Sequence, residues 1–146
     1  MIRIYLFHPM VVHFTIALFL FSVLMDILGL ITKKSTFHVV SWYSLFTSGI
    51  AVIFTVMAGL IAESTANPSV PAQGIIEIHE KFGFTVLTII WILTIWRIIL
   101  KGKMPVKGLT LFMVISIIGV IAITIGGYLG GELVYTYGVA VKTAMP

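Results

Sequence analysis

Residues Pro9–Ile31 read PMVVHFTIALFLFSVLMDILGLI, and this stretch decides the fold class of the chain. Within it, only His13 and Asp26 are ionisable. A helix needs about 20 largely apolar residues to cross roughly 30 Å of hydrocarbon. The stretch is therefore long enough and apolar enough to predict a transmembrane helix.

Three further segments, at about 39–62, 75–100 and 109–131, have the same character. Over the whole chain, 60% of the residues are hydrophobic and 10% are charged, with a mean hydropathy of +1.16, which is typical of a protein whose main solvent is lipid. Because lipid offers no partners to free backbone groups, all four segments are predicted to be helices. The connections between them predict an all-α, integral membrane four-helix bundle with up-down-up-down topology, built from residues 1–146 as one domain.

The connection 63–74 is predicted to be a surface loop because it contains Asn67, Pro68, Pro71 and Gly74. We expect the first segment to stay in the mature protein, since no small-residue cleavage motif follows it. The absence of cysteine excludes disulfides, thiolate metal sites and covalent attachment of c-type haem. No internal repeat is evident in the sequence.

The basic residues are unevenly distributed along the chain. Six of the nine lie in or beside the connections 32–38 and 101–108: Lys33, Lys34, Arg97, Lys101, Lys103 and Lys107. By the positive-inside rule, these connections are predicted to be cytoplasmic and both termini to lie outside the cytoplasm. The net charge of +4 then reflects topology and does not indicate nucleic-acid binding. Asp26 is expected to pair with Lys33 or Lys34, and His38 to lie at the membrane interface.

Two histidines, His13 and His79, are predicted to lie at similar depth near the outer ends of the first and third helices. These helices are diagonal in a four-helix bundle, so side chains that point inward from them face each other. An ionisable residue inside a membrane is a functional candidate by default. Opposed imidazoles at matched depth suit the two axial ligands of haem b.

Small residues lie where a porphyrin would meet the helices. Ala17 and Gly83 are each one turn beyond a candidate ligand. Helix four contains four glycines near its end, and these suit either contact with a cofactor or ordinary packing of helices or subunits. In helix four, Gly127 and Gly131 are predicted to line the cofactor, and Gly126 and Gly130 to lie about 100° further round.

Several interpretations of the histidines remain open. They hold haem, with Lys81 or Arg3 beside its propionates; or they bind copper or zinc with His8, with Met10 as a further ligand for copper. A third interpretation is that the histidines are hydrogen-bonded structural groups of a cofactor-free accessory subunit. A fourth is that they are part of a proton or ion pathway. His8 precedes a proline, which disfavours helical conformation, so it is predicted to cap the first helix and is less favoured as a ligand.

No nucleophile has a base and an orienting acid at a suitable spacing, so the sequence does not indicate enzymatic turnover by this chain alone. The leading hypothesis is a small b-type cytochrome in contact with the lipid bilayer. It would exchange electrons with a partner on the outer side, as a homo-oligomer or within a larger membrane complex.

The opening His8–Leu18, HPMVVHFTIAL, and the ending Gly130–Val141, GGELVYTYGVAV, resemble the bacterial membrane family catalogued as domain of unknown function 2231, as does the single histidine that opens helix three. The resemblance spans nearly the whole chain and implies a location in the bacterial inner membrane. Thr15 stands where the family has proline, and Gly83 stands near a position where relatives often have asparagine. Some relatives are joined to Rieske-type or cytochrome-like modules, which implies a role beside electron-transfer proteins.

Overall fold

The structure is a computed structural model that describes residues 7–65 and 70–139, and within them the chain forms four α-helices. Each helix contains a segment long and apolar enough to cross a membrane. The predicted all-α membrane bundle with up-down-up-down topology is therefore confirmed. The helices are α1 (Phe7–Thr32), α2 (Ser35–Thr65), α3 (Val70–Ile99) and α4 (Leu109–Tyr135).

The helices differ most from prediction where α2 is followed by α3. Because α2 continues to Thr65 and α3 begins at Val70, both ends of the predicted surface loop 63–74 are helical, and its predicted bounds were wrong. Asn67 and Pro68 lie outside the described residues. Pro71 lies in the first turn of α3, where its missing N–H removes no helical hydrogen bond. A proline such as Pro71, which would break the interior of a helix, is therefore compatible with its start.

The four helices form two antiparallel hairpins. The most extensive packing joins α1 to α2, followed by α3 to α4. The hairpins meet mainly through α2 and α3, with a smaller contact between α1 and α4. We call the end where α1 and α3 begin the histidine end, and the opposite end, which carries the connections 33–34 and 100–108, the loop end.

The hydrophobic core lies between the hairpins and draws on every helix. Phe19, Leu45, Ile90 and Phe112 are almost completely buried in it. Many large apolar side chains on the outer faces of the helices are exposed. This distribution fits a bundle whose surroundings are as apolar as its interior.

Asp26 is buried at the loop end, where it pairs across the bundle with Arg97. The fully buried guanidinium donates from Nη1 to both carboxylate oxygens, at 3.2 and 3.1 Å. The Nδ1 atom of His38 lies 2.9 Å from the same carboxylate. The prediction that Asp26 pairs with Lys33 or Lys34 was wrong, because a buried carboxylate needs a partner that is buried with it. His38, predicted to be interfacial, has a partner inside the bundle.

Arg97 also connects the first hairpin to the connection between α3 and α4. Its Nη1 donates to the Ser41 hydroxyl at 2.9 Å, and its Nη2 donates to the carbonyls of His38 at 2.8 Å and Gly102 at 2.9 Å. The guanidinium carbon lies 5.8 Å from the centre of the Trp42 ring. Arg97 is therefore a structural anchor of the loop end as well as a contributor to the charge asymmetry.

Candidate functional site

A cavity of about 440 Å³ lies between the two hairpins at the histidine end. Its volume falls in the range of small-molecule and cofactor sites. Most of the lining is apolar, and all four helices contribute to it. The lining includes His8, His13, Thr55, Gly59, Glu63, His79, Glu80, Gly83, Gly126, Gly127, Gly130 and Gly131.

His8 lies in the first turn of α1 and reaches across to α2. Its Nδ1 is 3.0 Å from the carbonyl oxygen of Thr55. Because a carbonyl oxygen only accepts, Nδ1 carries the hydrogen and Nε2 keeps its lone pair. The predicted role of His8 as a cap was wrong: α1 begins at Phe7, and Pro9 is tolerated in its first turn.

His79 is held in the same way by α4. Its Nδ1 donates to the carbonyl oxygen of Gly126 at 2.9 Å, which again leaves Nε2 with a lone pair. His79 lies deeper in α3 than predicted, because the helix begins at Val70. Both imidazoles are thus oriented by the backbone of the neighbouring helix in their hairpin.

The rings of His8 and His79 lie close together between the hairpins. Their centres are 6.1 Å apart and their planes are nearly perpendicular, at 87°. An imidazole nitrogen lies about 2.0–2.1 Å from a bound metal ion, so two imidazoles on opposite sides of one ion have ring centres roughly 6 Å apart. The observed separation matches that spacing.

His13 occupies a different environment from the one predicted. Its ring borders the cavity, but the residue is exposed, and its Nδ1 lies 2.6 Å from the carbonyl oxygen of Pro9 in its own helix. An offset of five residues from His8 turns it to another face of α1. The structure therefore brings His8 next to His79, and a ligand role for His13 stays a prediction.

Gly83, Gly127 and Gly131 border the cavity. Ala17 is exposed and does not border it, so it is not placed to contact a group bound there. Ala17 is one turn from His13 and lies on the same face of α1, whereas His8 lies on a different face.

Gly59 and Gly130 lie beside the rings of His8 and His79. A Cβ built at Gly130 would lie 3.2 Å from Cε1 of His79, and one built at Gly59 would lie 3.2 Å from Cε1 of His8. All four glycines of helix four border the cavity, and of these Gly126 and Gly130 lie next to the His79 ring. That Gly127 and Gly131 line a bound cofactor stays a prediction. Gly59 and Gly130 each follow by one turn the residue whose carbonyl accepts from a histidine, a relationship that only the structure reveals.

The charged residues near the cavity do not form a site with three or more ligands. In the parts of the chain that the structure describes, no group of at least three His, Asp or Glu side chains is arranged to hold a metal ion. Lys81 is exposed near this end, and Arg3 lies outside the described residues. The site thus offers two imidazole nitrogens within a largely apolar cavity.

The sequence model of a family described as predicted membrane protein, domain of unknown function 2231, matches residues 6–143. No curated protein and no solved structure matches the chain. Since the family match includes all four helices and both histidines of the pair, the chain belongs to this family of predicted membrane proteins.

Proposed function

We propose that the protein is a b-type cytochrome-like electron-transfer protein that binds one haem b between His8 and His79. The supporting observation is the pair of imidazoles with centres 6.1 Å apart, each with its Nδ1–H bonded to a backbone carbonyl. Histidines that bind metals almost always donate their other ring N–H to such an acceptor, which fixes the tautomer and the ring orientation. His8 thereby takes the ligand role that the sequence suggested for His13.

The surroundings of the pair support the same proposal. Bound haem would supply one-electron redox chemistry, while the chain would hold it with the two imidazole nitrogens in an apolar environment. Gly59 and Gly130 leave space beside the imidazoles, which a larger side chain would occupy. Lys81, and Arg3 beyond the described residues, are the proposed partners of the haem carboxylates.

We place the protein in the bacterial inner membrane with both termini outside the cytoplasm. The exposed lysines at the loop end, including Lys33, Lys34 and Lys103, support this orientation. The histidine end then faces outward, and a redox partner meets the protein there. The protein acts as a homo-oligomer or within a larger membrane complex.

The test is the absorption spectrum and haem content of the purified protein. We expect a low-spin spectrum and one haem per chain. His8→Ala and His79→Ala should each lower haem occupancy by at least about tenfold, since each removes an axial ligand. His38→Ala is the matched control, because His38 lies at the loop end beside Asp26 and should leave haem occupancy unchanged.

His13→Ala distinguishes the two candidate ligands on α1. Retention of haem in this variant supports ligation by His8, whereas loss in His13→Ala with retention in His8→Ala would return the role to His13. A colourless protein that carries stoichiometric copper or zinc in elemental analysis would favour a histidine-based metal site. A protein with neither haem nor metal would favour a cofactor-free accessory subunit.

A further inference from the structure

One spacing recurs in the two hairpins. His8 donates to a carbonyl 47 residues further along the chain, and His79 does the same. Asp26 and Arg97, which form the buried ion pair, are separated by 71 residues. A shift of 71 residues also moves His8 onto His79 and Thr55 onto Gly126, so it superimposes one histidine bond on the other.

The same shift relates the glycines beside the two rings. It moves Gly59 onto Gly130, and a Cβ at either position would lie 3.2 Å from Cε1 of the neighbouring histidine. Donor, acceptor and the space beside the ring therefore all recur in the second hairpin. Three matched features at one sequence offset are more than the general similarity of two antiparallel helix pairs requires.

Burial follows the same register along the helices. Phe19 of α1 and Val52 of α2 are buried, and so are the residues at their shifted positions, Ile90 and Ile123. Exposure follows it as well, because Leu24 and Ile50 are exposed and so are Ile95 and Ile121. Since the amino acids themselves mostly differ, the correspondence is one of position in the fold.

These equivalences define an approximate two-fold axis. The shift maps α1 onto α3, which runs in the same direction, so the axis is parallel to the helices and to the membrane normal. A residue that touches its own equivalent lies next to a two-fold axis. The His8–His79 contact marks the axis at the histidine end, and the Asp26–Arg97 pair marks it at the loop end.

We propose that the α1–α2 and α3–α4 hairpins are repeats of one helical unit that pair about this axis, and that the Asp26–Arg97 contact commits each hairpin to a hairpin of the other kind and not to a second copy of itself. Two copies of the first hairpin would bring two aspartates together at the axis, and two copies of the second would bring two arginines together. Like charges facing each other in an apolar interior disfavour those pairings relative to the matched one.

The remaining partners of Arg97 reinforce this selectivity. Ser41 and the carbonyl of His38 both belong to the first hairpin. In the second hairpin the position equivalent to Ser41 is Phe112, which has no hydroxyl to accept from a guanidinium. The second hairpin is therefore suited to insert its arginine into the first hairpin and unsuited to receive one.

The test uses full-length chains with two different affinity tags, expressed in the same cells. Asp26→Arg gives a chain with arginine at both axis positions, and Arg97→Asp gives a chain with aspartate at both. Expressed singly, each should yield at least about tenfold less folded protein than wild type, because the buried charges no longer match. Expressed together, they should co-purify one to one, since Arg97 of one chain meets Asp26 of the other. The second exchanged interface joins the two substituted positions, where Phe112 takes the place of Ser41, so recovery should be clear but lower than wild type.

Wild-type copies with the two tags set the baseline for co-purification. As a matched control, two tagged copies of the double variant Asp26→Asn, Arg97→Gln lack both charges and should co-purify no more than that baseline. The proposal is overturned if the charge-changed chains fail to recover together or are recovered separately. It is also overturned if the neutral copies co-purify as well as the charge-changed ones, because exchange would then not depend on charge.

Discussion

The guanidinium of Arg97 lies 3.1 Å from a carboxylate oxygen of Asp26, and this contact joins α1 to α3 at the end of the bundle opposite the His8–His79 pair. Both charged residues are buried, so each depends on the other for compensation of its charge. The ion pair holds the diagonal helices together at the loop end. The cavity lies at the other end, where the same two helices contribute imidazoles.

Removal of the Arg97 charge should destabilise the protein strongly. In Arg97→Gln the buried Asp26 loses the guanidinium that donates to both of its oxygens, and breaking a buried ion pair in this way costs about 3–5 kcal/mol. The free energy of unfolding in detergent micelles, measured by denaturant titration, checks this. Lys34→Gln changes an exposed basic residue and should stay within about 0.5 kcal/mol of wild type. Equal losses in both variants would contradict a structural role for the buried pair.

Gly119 should tolerate no side chain. A Cβ there would lie 2.7 Å from Cζ of Phe19 and 2.8 Å from Cγ2 of Ile89, so Gly119→Ala should cost about 1–3 kcal/mol through overpacking. Thermal unfolding followed by circular dichroism measures the loss. Gly74→Ala is the control: Gly74 is helical and exposed, and outside its own helix backbone no atom of the described residues lies within 4 Å of the added Cβ, so stability should hold or rise by about 0.5–1 kcal/mol. A Gly119→Ala protein as stable as Gly74→Ala would rule out the close packing of α4 on Phe19.

Gly130 and Gly131 should respond differently to a single methyl group. A Cβ at Gly130 would press on the His79 ring at 3.2 Å, whereas a Cβ at Gly131 would meet no side chain or other helix within 4 Å in the described part of the chain. If His79 binds haem, Gly130→Ala should shift the absorption spectrum or lower haem occupancy, and Gly131→Ala should leave both nearly unchanged. A changed elution volume on a sizing column with an unaltered spectrum would instead assign these glycines to helix or subunit association.

The orientation of the bundle is checked by reporter fusions. A reporter that is active only outside the cytoplasm should be active when fused after Pro146, and inactive when inserted at Lys103 in the connection between α3 and α4. The reverse pattern would overturn the orientation that the distribution of basic residues predicts, and it would place the histidine cavity on the cytoplasmic side.

Hydropathy along the chain determined the number of helices, their alternation and their membrane character. Four long apolar segments admit no other spanning structure, because every backbone group in lipid must be bonded internally. The sequence also singled out His79 and the glycines of the last helix. It did so because ionisable and small residues are unusual in such a chain and therefore stand out without knowledge of their neighbours.

Only the tertiary structure decided which residues meet. The rotation of α1 determines that His8, and not His13, lies beside His79. The approach of α3 determines that Arg97 is the partner of Asp26. The repeat is visible only because burial matches at positions whose residues differ. In an apolar helix every face is hydrophobic, so the sequence contains little periodicity from which to infer which face turns inward. The inward face is set by a few polar contacts between helices, and these connect residues that are far apart in the sequence.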